Sequence, residues 1–174
     1  MTLFHNFLIR DILYLSYMFT KNQQLLAYLA KNHYKASVTV LMKLAYIIDL
    51  YSIKKTGSKL SDFEYIRYYH GPYDKTINSD LQILLDNSIL YPKQHYTPTG
   101  DEYIVYNFNE EVVFYFNSLS ETETKLIDEL MENLKGYGAK TLTDITYKTK
   151  PMQALGATHG GAENLNEPLN LFAE

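Results

Sequence analysis

No helix can run through Gly71-Pro72, and that break organises the rest of the chain. Pro72 fixes its own φ and pushes Gly71 out of the α region. Glycine can in turn take a backbone angle that other residues avoid. The pair lies in Tyr65-Ile66-Arg67-Tyr68-Tyr69-His70-Gly71-Pro72-Tyr73-Asp74, which reads as a short aromatic strand, from Phe63 to Tyr69, and a rigid Gly-Pro corner. An amphipathic helix follows at about Lys75 to Asn87, with Asp74 as candidate N-cap and Ile77, Leu81, Leu84 and Leu85 on one face.

Upstream, Gln23 to Lys31 reads as a short helix and Thr39 to Lys55 as the clearest helix of the chain. Ser37 can cap the second, Leu41, Leu44, Ala45, Ile48 and Tyr51 recur at helical spacing, and Gly57 can end it. Asp49, between apolar neighbours, reads as a solvated edge residue rather than a catalytic acid. Downstream, Ile89 to His95 and Glu102 to Phe108 form a hairpin around the turn residues Thr97 to Asp101. Glu110 to Phe116 reads as a short helix. Ser120 and Glu123 make a capping box for a longer one, whose buried stripe is Leu126, Ile127, Leu130, Met131 and Leu134. Thr141 to Thr146 begins another, stopped by Pro151.

The ends differ from this middle. Residues 1–20 are apolar, but Arg10 and Asp11 interrupt them, so they do not read as a membrane span, and no signal-peptide arrangement is visible. Residues 1–17 read as an extension or an upstream start, with an amphipathic packing helix as the alternative. From Gly156 the chain is rich in Gly, Ala and Asn, which suggests a loosely held tail.

Composition excludes several functions. The chain has 174 residues and no cysteine, so disulfides, thiolate metal sites and cysteine nucleophiles are impossible, and a reducing cytoplasm fits better than secretion. Residues 1–60 carry a net charge of +6 and residues 61–174 a net of −10. The acidic part argues against general nucleic-acid binding, while the basic third leaves room for DNA or for an acidic protein partner. The 17 tyrosines suit half-buried interfaces, although packing on a small sheet and on helix edges is the plainer reading for any one of them.

Phosphate-loop, dinucleotide, zinc-protease and serine-hydrolase signatures are all missing. No two of His5, His33, His70, His95 and His159 share a helix face at i, i+4. His70 can be read as a general base or partner contact, or as a turn histidine bonded to backbone. Thr158-His159-Gly160-Gly161 has the composition of a phosphate loop without its flanking strand and helix. The helix after Pro72 has a winged-helix position, but Asp74, Asp80 and Asp86 on its exposed face would oppose phosphates. No catalytic, cofactor-binding or metal-binding set is therefore expected.

Four stretches resemble one family. Leu41-Met42-Lys43-Leu44-Ala45-Tyr46-Ile47-Ile48-Asp49 is similar to the K-L-L-Y-F-A-D-like helix of the Panacea domain, the SocA-like antitoxin-associated domain. Tyr68-Tyr69-His70-Gly71-Pro72-Tyr73 resembles its W-x-x-G-P-V element. Leu119-Ser120-Glu121-Thr122-Glu123 resembles its L-S-x-x-E helix start, and Leu142 to Met152 its L-S-x-x-T-H-x-x-x-P-W ending. Tyr69 stands near the usual Trp or Lys position, Tyr147 where His is usual and Met152 where Trp is usual.

The resemblance covers roughly residues 22–155. It divides the chain into an extension (1–21), the Panacea domain (22–155) and a loosely ordered tail (156–174). It implies a mainly α, α+β fold: a compact helical domain with a small antiparallel β element, a strand plus a hairpin in winged-helix-like order. It also implies a cytoplasmic, bacterial, archaeal or phage-encoded antitoxin that neutralises a cognate toxin from a neighbouring gene by direct binding. The alternatives are a proteolytic adaptor that delivers the toxin to a AAA+ protease and a DNA-binding regulator of its own operon. No enzymatic residues carry over. Tyr68, Tyr69, His70, Gly71, Pro72 and Tyr73 are the candidate partner-binding residues, against the plainer reading that Gly71-Pro72 only positions the next helix.

Overall fold

The computed structural model describes residues 19–173, and the expectations for residues 1–18 lie outside the described residues. Phe19 already belongs to the core. Thr20 caps helix α1 (Lys21–Asn32) through a capping box with Gln23. Helix α2 (Val38–Thr56) starts at the Ser37 cap and ends at Gly57, whose φ of 80° supplies the left-handed terminus. Leu41, Leu44, Ala45, Tyr46 and Ile48 of α2 are fully buried, so this helix is the spine on which the other elements pack.

A small hairpin follows, β1 (Ile66–Tyr68) and β2 (Gly71–Tyr73), with Tyr68 opposite Gly71. Here the structure corrects the expected corner. The chain reverses at Tyr69-His70, and Gly71-Pro72 lies in the second strand. A proline is tolerated there because Arg67, opposite it, directs its own N–H and carbonyl to Glu167 and Asn166, so the pairing needs no N–H from Pro72, whose carbonyl is used by Lys43. Helix α3 (Thr76–Asp86) buries Ile77, Leu81 and Leu84. Asp74 stands ahead of its formal cap position, yet its Oδ1 accepts from the Thr76 N–H and hydroxyl, both at 2.7 Å. Asp74 is buried rather than on the exposed face.

The second hairpin, β3 (Leu90–Tyr96) and β4 (Glu102–Phe108), pairs Leu90 with Phe108 and Tyr96 with Glu102. It docks on the linker between α1 and α2, where the Tyr106 N–H donates to the Ala36 carbonyl at 3.0 Å. The helix expected at Glu110 to Phe116 does not form. Val112, Phe114 and Phe116 alternate, and an irregular segment places Phe114 5.2 Å from Phe19 and Phe116 5.1 Å from Tyr28. Aromatic packing, together with Gln24 accepting from the Ser118 N–H at 2.8 Å, outweighs local helix propensity.

Helix α4 (Glu121–Asn133) opens with the Ser120–Glu123 capping box and buries Leu126, Ile127, Leu130 and Met131. Helix α5 (Ala139–Tyr147) ends before Pro151. That proline opens the short helix α6 (Lys150–Ala154) instead of merely stopping the previous one, as its lack of an N–H allows.

The segment after Gly156 is held in place. Asn166 N–H donates to the Arg67 carbonyl (2.8 Å), Arg67 N–H to the Glu167 carbonyl (2.8 Å) and Leu169 N–H to the Tyr65 carbonyl (2.9 Å). Leu169 and Leu171 are buried. This segment covers the free edge of β1, which would otherwise leave unpaired backbone groups. The result is an α+β fold dominated by helices, with two separate antiparallel hairpins.

Candidate functional site

The hairpin β1–β2 is gripped from α2 at both ends, by two polar residues that would be costly to bury unpaired. At the near end Asp49, fully buried, accepts four hydrogen bonds. Oδ1 takes the Leu60 N–H (3.0 Å) and the Ser61 N–H (2.7 Å), and Oδ2 takes the Ser61 hydroxyl (2.5 Å) and the Tyr65 phenol (2.9 Å). Asp49 is therefore not a solvated edge residue. Burial pushes its carboxyl above the usual range, although the Ser61 and Tyr65 donors act the other way. The same burial, with the Asp49 charge beside it, drives the Tyr65 phenol well up.

At the far end Lys43 is 3% exposed and donates from Nζ to the Pro72 carbonyl at 2.7 Å. The Asp74 N–H reaches the Met42 sulfur, one residue earlier on α2, at 3.3 Å. Gly71 lies directly over Lys43 with a φ of 96°. A side-chain carbon there would come 3.0 Å from Thr146 Oγ1 and 3.3 Å from Lys43 Nζ. Gly71 is thus required for both its backbone angle and its close approach.

The outer side of the hairpin is different. Tyr68 (38% exposed), Tyr69 (47% exposed) and His70 point outward, whereas Gly71 and Pro72 are buried and Tyr73 is half-buried. Tyr68 packs edge-on against Tyr69 at 5.5 Å and in a tilted arrangement against Tyr73 at 5.0 Å. The Tyr147 phenol, at the family's usual His position, donates to the Tyr69 carbonyl at 2.9 Å and so fixes the turn. Met152, at the usual Trp position, is fully buried.

Behind β1, Arg67 is completely buried. Its guanidinium donates to the Tyr68 carbonyl and to the carbonyls of Thr158 (3.2 Å) and Gly161 (2.7 Å), and lies 5.8 Å from the Tyr147 ring centre. The largely exposed Thr158–Gly161 stretch that has a phosphate-loop composition therefore turns two of its carbonyls onto an arginine.

Between hairpin and helices lies a cavity of about 240 Å³. Val38, Thr39, Met42 and Lys43 of α2, Tyr68, His70, Gly71 and Tyr73 of the hairpin, and Asn78 of α3 line it. In the sequence Lys43 stands at the Lys of the K-L-L-Y-F-A-D-like motif and Asp49 at its Asp, but the helix pattern alone does not show that this lysine is buried beside a cavity.

The sequence profile of the family described as "Antitoxin SocA-like, Panacea domain" matches residues 41–151, well over half of the chain. The chain belongs to this family. The match begins in α2 and ends at Pro151, so it takes in both grips on the hairpin and the hairpin itself. No curated protein and no solved structure matches the chain. Among the described residues no helix is long and apolar enough to cross a membrane.

Lys43 gives the Panacea domain a measurable pH response. Burial lowers its ammonium from the ordinary 10.5 to about 7. Between those values the unfolded chain binds this proton and the folded chain does not, so the lysine contribution to stability rises with pH, by up to ~1.4 kcal/mol per unit. Below about pH 7 both states hold the proton and the burial penalty is complete. The stability gained by Lys43→Met should accordingly be largest near pH 6 and fall toward pH 10, by about 2–5 kcal/mol across the range. Urea unfolding of both across this range checks it, and a pH-independent difference contradicts it.

Proposed function

We propose that this protein is an antitoxin that neutralises a toxin encoded by a neighbouring gene through direct contact, acting in the cytoplasm and without a catalytic step. Membership of the SocA-like Panacea family carries the reading. The exposed aromatic tip of the first hairpin supports a contact role for Tyr68, Tyr69 and His70. Large, rigid rings held on a braced turn bind with little ordering cost, and tyrosine is enriched among interface hot spots. Gly71, Pro72 and the inner side of Tyr73 serve this surface by shaping it. A general DNA-binding role is disfavoured by α3, whose outward side carries Asp86 and the half-buried Asp80 in the groove-reading position. If the complex is also handed to a AAA+ protease, toxin loss will depend on that protease, while the contact itself will not.

The test is binding of the purified chain to the adjacent gene's product. Tyr68→Ala with Tyr69→Ala should leave the fold intact, since both side chains are largely outside the core, and weaken binding by about 30-fold or more, the scale of a hot-spot pair. Unchanged affinity in a folded double variant would place the contact elsewhere.

A further inference from the structure

We infer that the cavity between α2 and the first hairpin is a receptor for one carboxylate side chain of the toxin, with Lys43 as its counter-charge. The inference rests on the antitoxin reading above and adds the chemistry of the contact.

Three observations carry it. Lys43 is buried, yet among the described residues no Asp or Glu pairs with it. Its one hydrogen bond goes to the Pro72 carbonyl, and an ammonium has three N–H groups to give. A buried cation without a counter-charge is costly, and such a group is retained where a partner completes it. Second, Lys43 lines the 240 Å³ cavity together with Asn78, His70 and Tyr73, whose side chains can all donate to a carboxylate, although the Asn78 amide already gives one N–H to the Tyr73 phenol at 3.2 Å. Gly71 keeps that space clear, because any larger residue would put a carbon 3.3 Å from Nζ. Third, Tyr68 and His70 belong both to the cavity wall and to the exposed tip. An acidic side chain reaching Lys43 would therefore come from whatever covers the tip, and α2 lies in the basic third of the chain.

Arg67, the other buried cation nearby, gives its two terminal nitrogens to three carbonyls, with only Nε left unpartnered, and does not line the cavity. The remaining titratable groups around the cavity are His70, Tyr68 and Tyr73. Asp74, just beyond Tyr73, turns its carboxylate to the N–H groups of Glu64 and Thr76.

The test has two arms. In the first, the chain alone is labelled with ¹³C-lysine, and the Lys43 Cε signal is assigned by its loss in Lys43→Met. Sodium acetate, against sodium chloride at equal ionic strength, should raise the titration midpoint of Lys43. No difference between the two salts overturns the receptor. In the second, the adjacent gene's product is titrated calorimetrically into wild type and Lys43→Met near pH 8, in buffers of different ionisation enthalpy. Wild type should take up a proton on binding. Lys43→Met, folded, should bind about 30-fold or more weakly without that uptake. Equal binding and equal proton uptake in both proteins overturn the toxin assignment. An acetate response accompanied by equal toxin binding would mark a site for free small carboxylates, which also overturns it. Absence of any toxin binding by wild type instead defeats the antitoxin reading, leaving the acetate arm to judge the cavity.

Discussion

Asp49→Ala should lower the unfolding free energy by about 3–5 kcal/mol, the range for removing one partner of a buried charged network. The aspartate accepts two backbone N–H groups and two hydroxyls in a site with no access to water. Alanine leaves all four donors facing a small void. The Ser61 and Tyr65 hydroxyls can turn to other acceptors, but the Leu60 and Ser61 N–H groups are fixed by the chain. The damage should also be directional. The segment from Leu60 to Tyr65 leads into β1, so losing its anchor frees the base of the hairpin. Urea unfolding followed by circular dichroism measures the loss, and hydrogen exchange should show residues 60–73 opening first. A loss below about 1 kcal/mol would mean that the four bonds are replaceable.

Gly71→Ala should cost about 2–4 kcal/mol, from two separable sources. A φ of 96° strains any residue with a side-chain carbon, and that carbon would press on Thr146 Oγ1 and Lys43 Nζ. Gly100 offers the control. Its φ is 91°, and nothing lies within 4 Å of the corresponding position. Gly100→Ala therefore reports backbone strain alone, about 1–2 kcal/mol, and the excess at Gly71 measures the close approach. Equal losses at the two glycines would show that the contact with Lys43 and Thr146 yields freely.

Local signals in the sequence located most elements. Helical periodicity with Ser37, Gly57 and the Ser120–Glu123 box gave α2 and α4 nearly to the residue, because caps and stripes act over a single turn. The hairpin around Thr97 to Asp101 was equally visible in its turn residues. Interactions over longer separations were not. Asp49 looked exposed because its four donors lie 11 to 16 residues further on. The segment after Gly156 looked loose because its attachment to β1 runs through backbone groups, which leave no side-chain pattern. Phe114 and Phe116 looked helical in isolation, and only the distant rings of Phe19 and Tyr28 explain their extended course.

The candidate site was legible in part. The stretch from Tyr68 to Tyr73 was conspicuous, but its division into an exposed tip and a buried support depends on where the chain reverses. The Lys43 cavity needs α2, the hairpin and α3 together, so no single stretch of sequence could display it.

Co-expression with the product of the adjacent gene, scoring growth and co-purification, tests the central claim most directly. The account predicts that this product arrests growth alone, that the wild-type chain restores growth and co-purifies with it, and that folded Tyr68→Ala/Tyr69→Ala does neither. A harmless neighbour, or full rescue and co-purification by the hairpin variant, would contradict it.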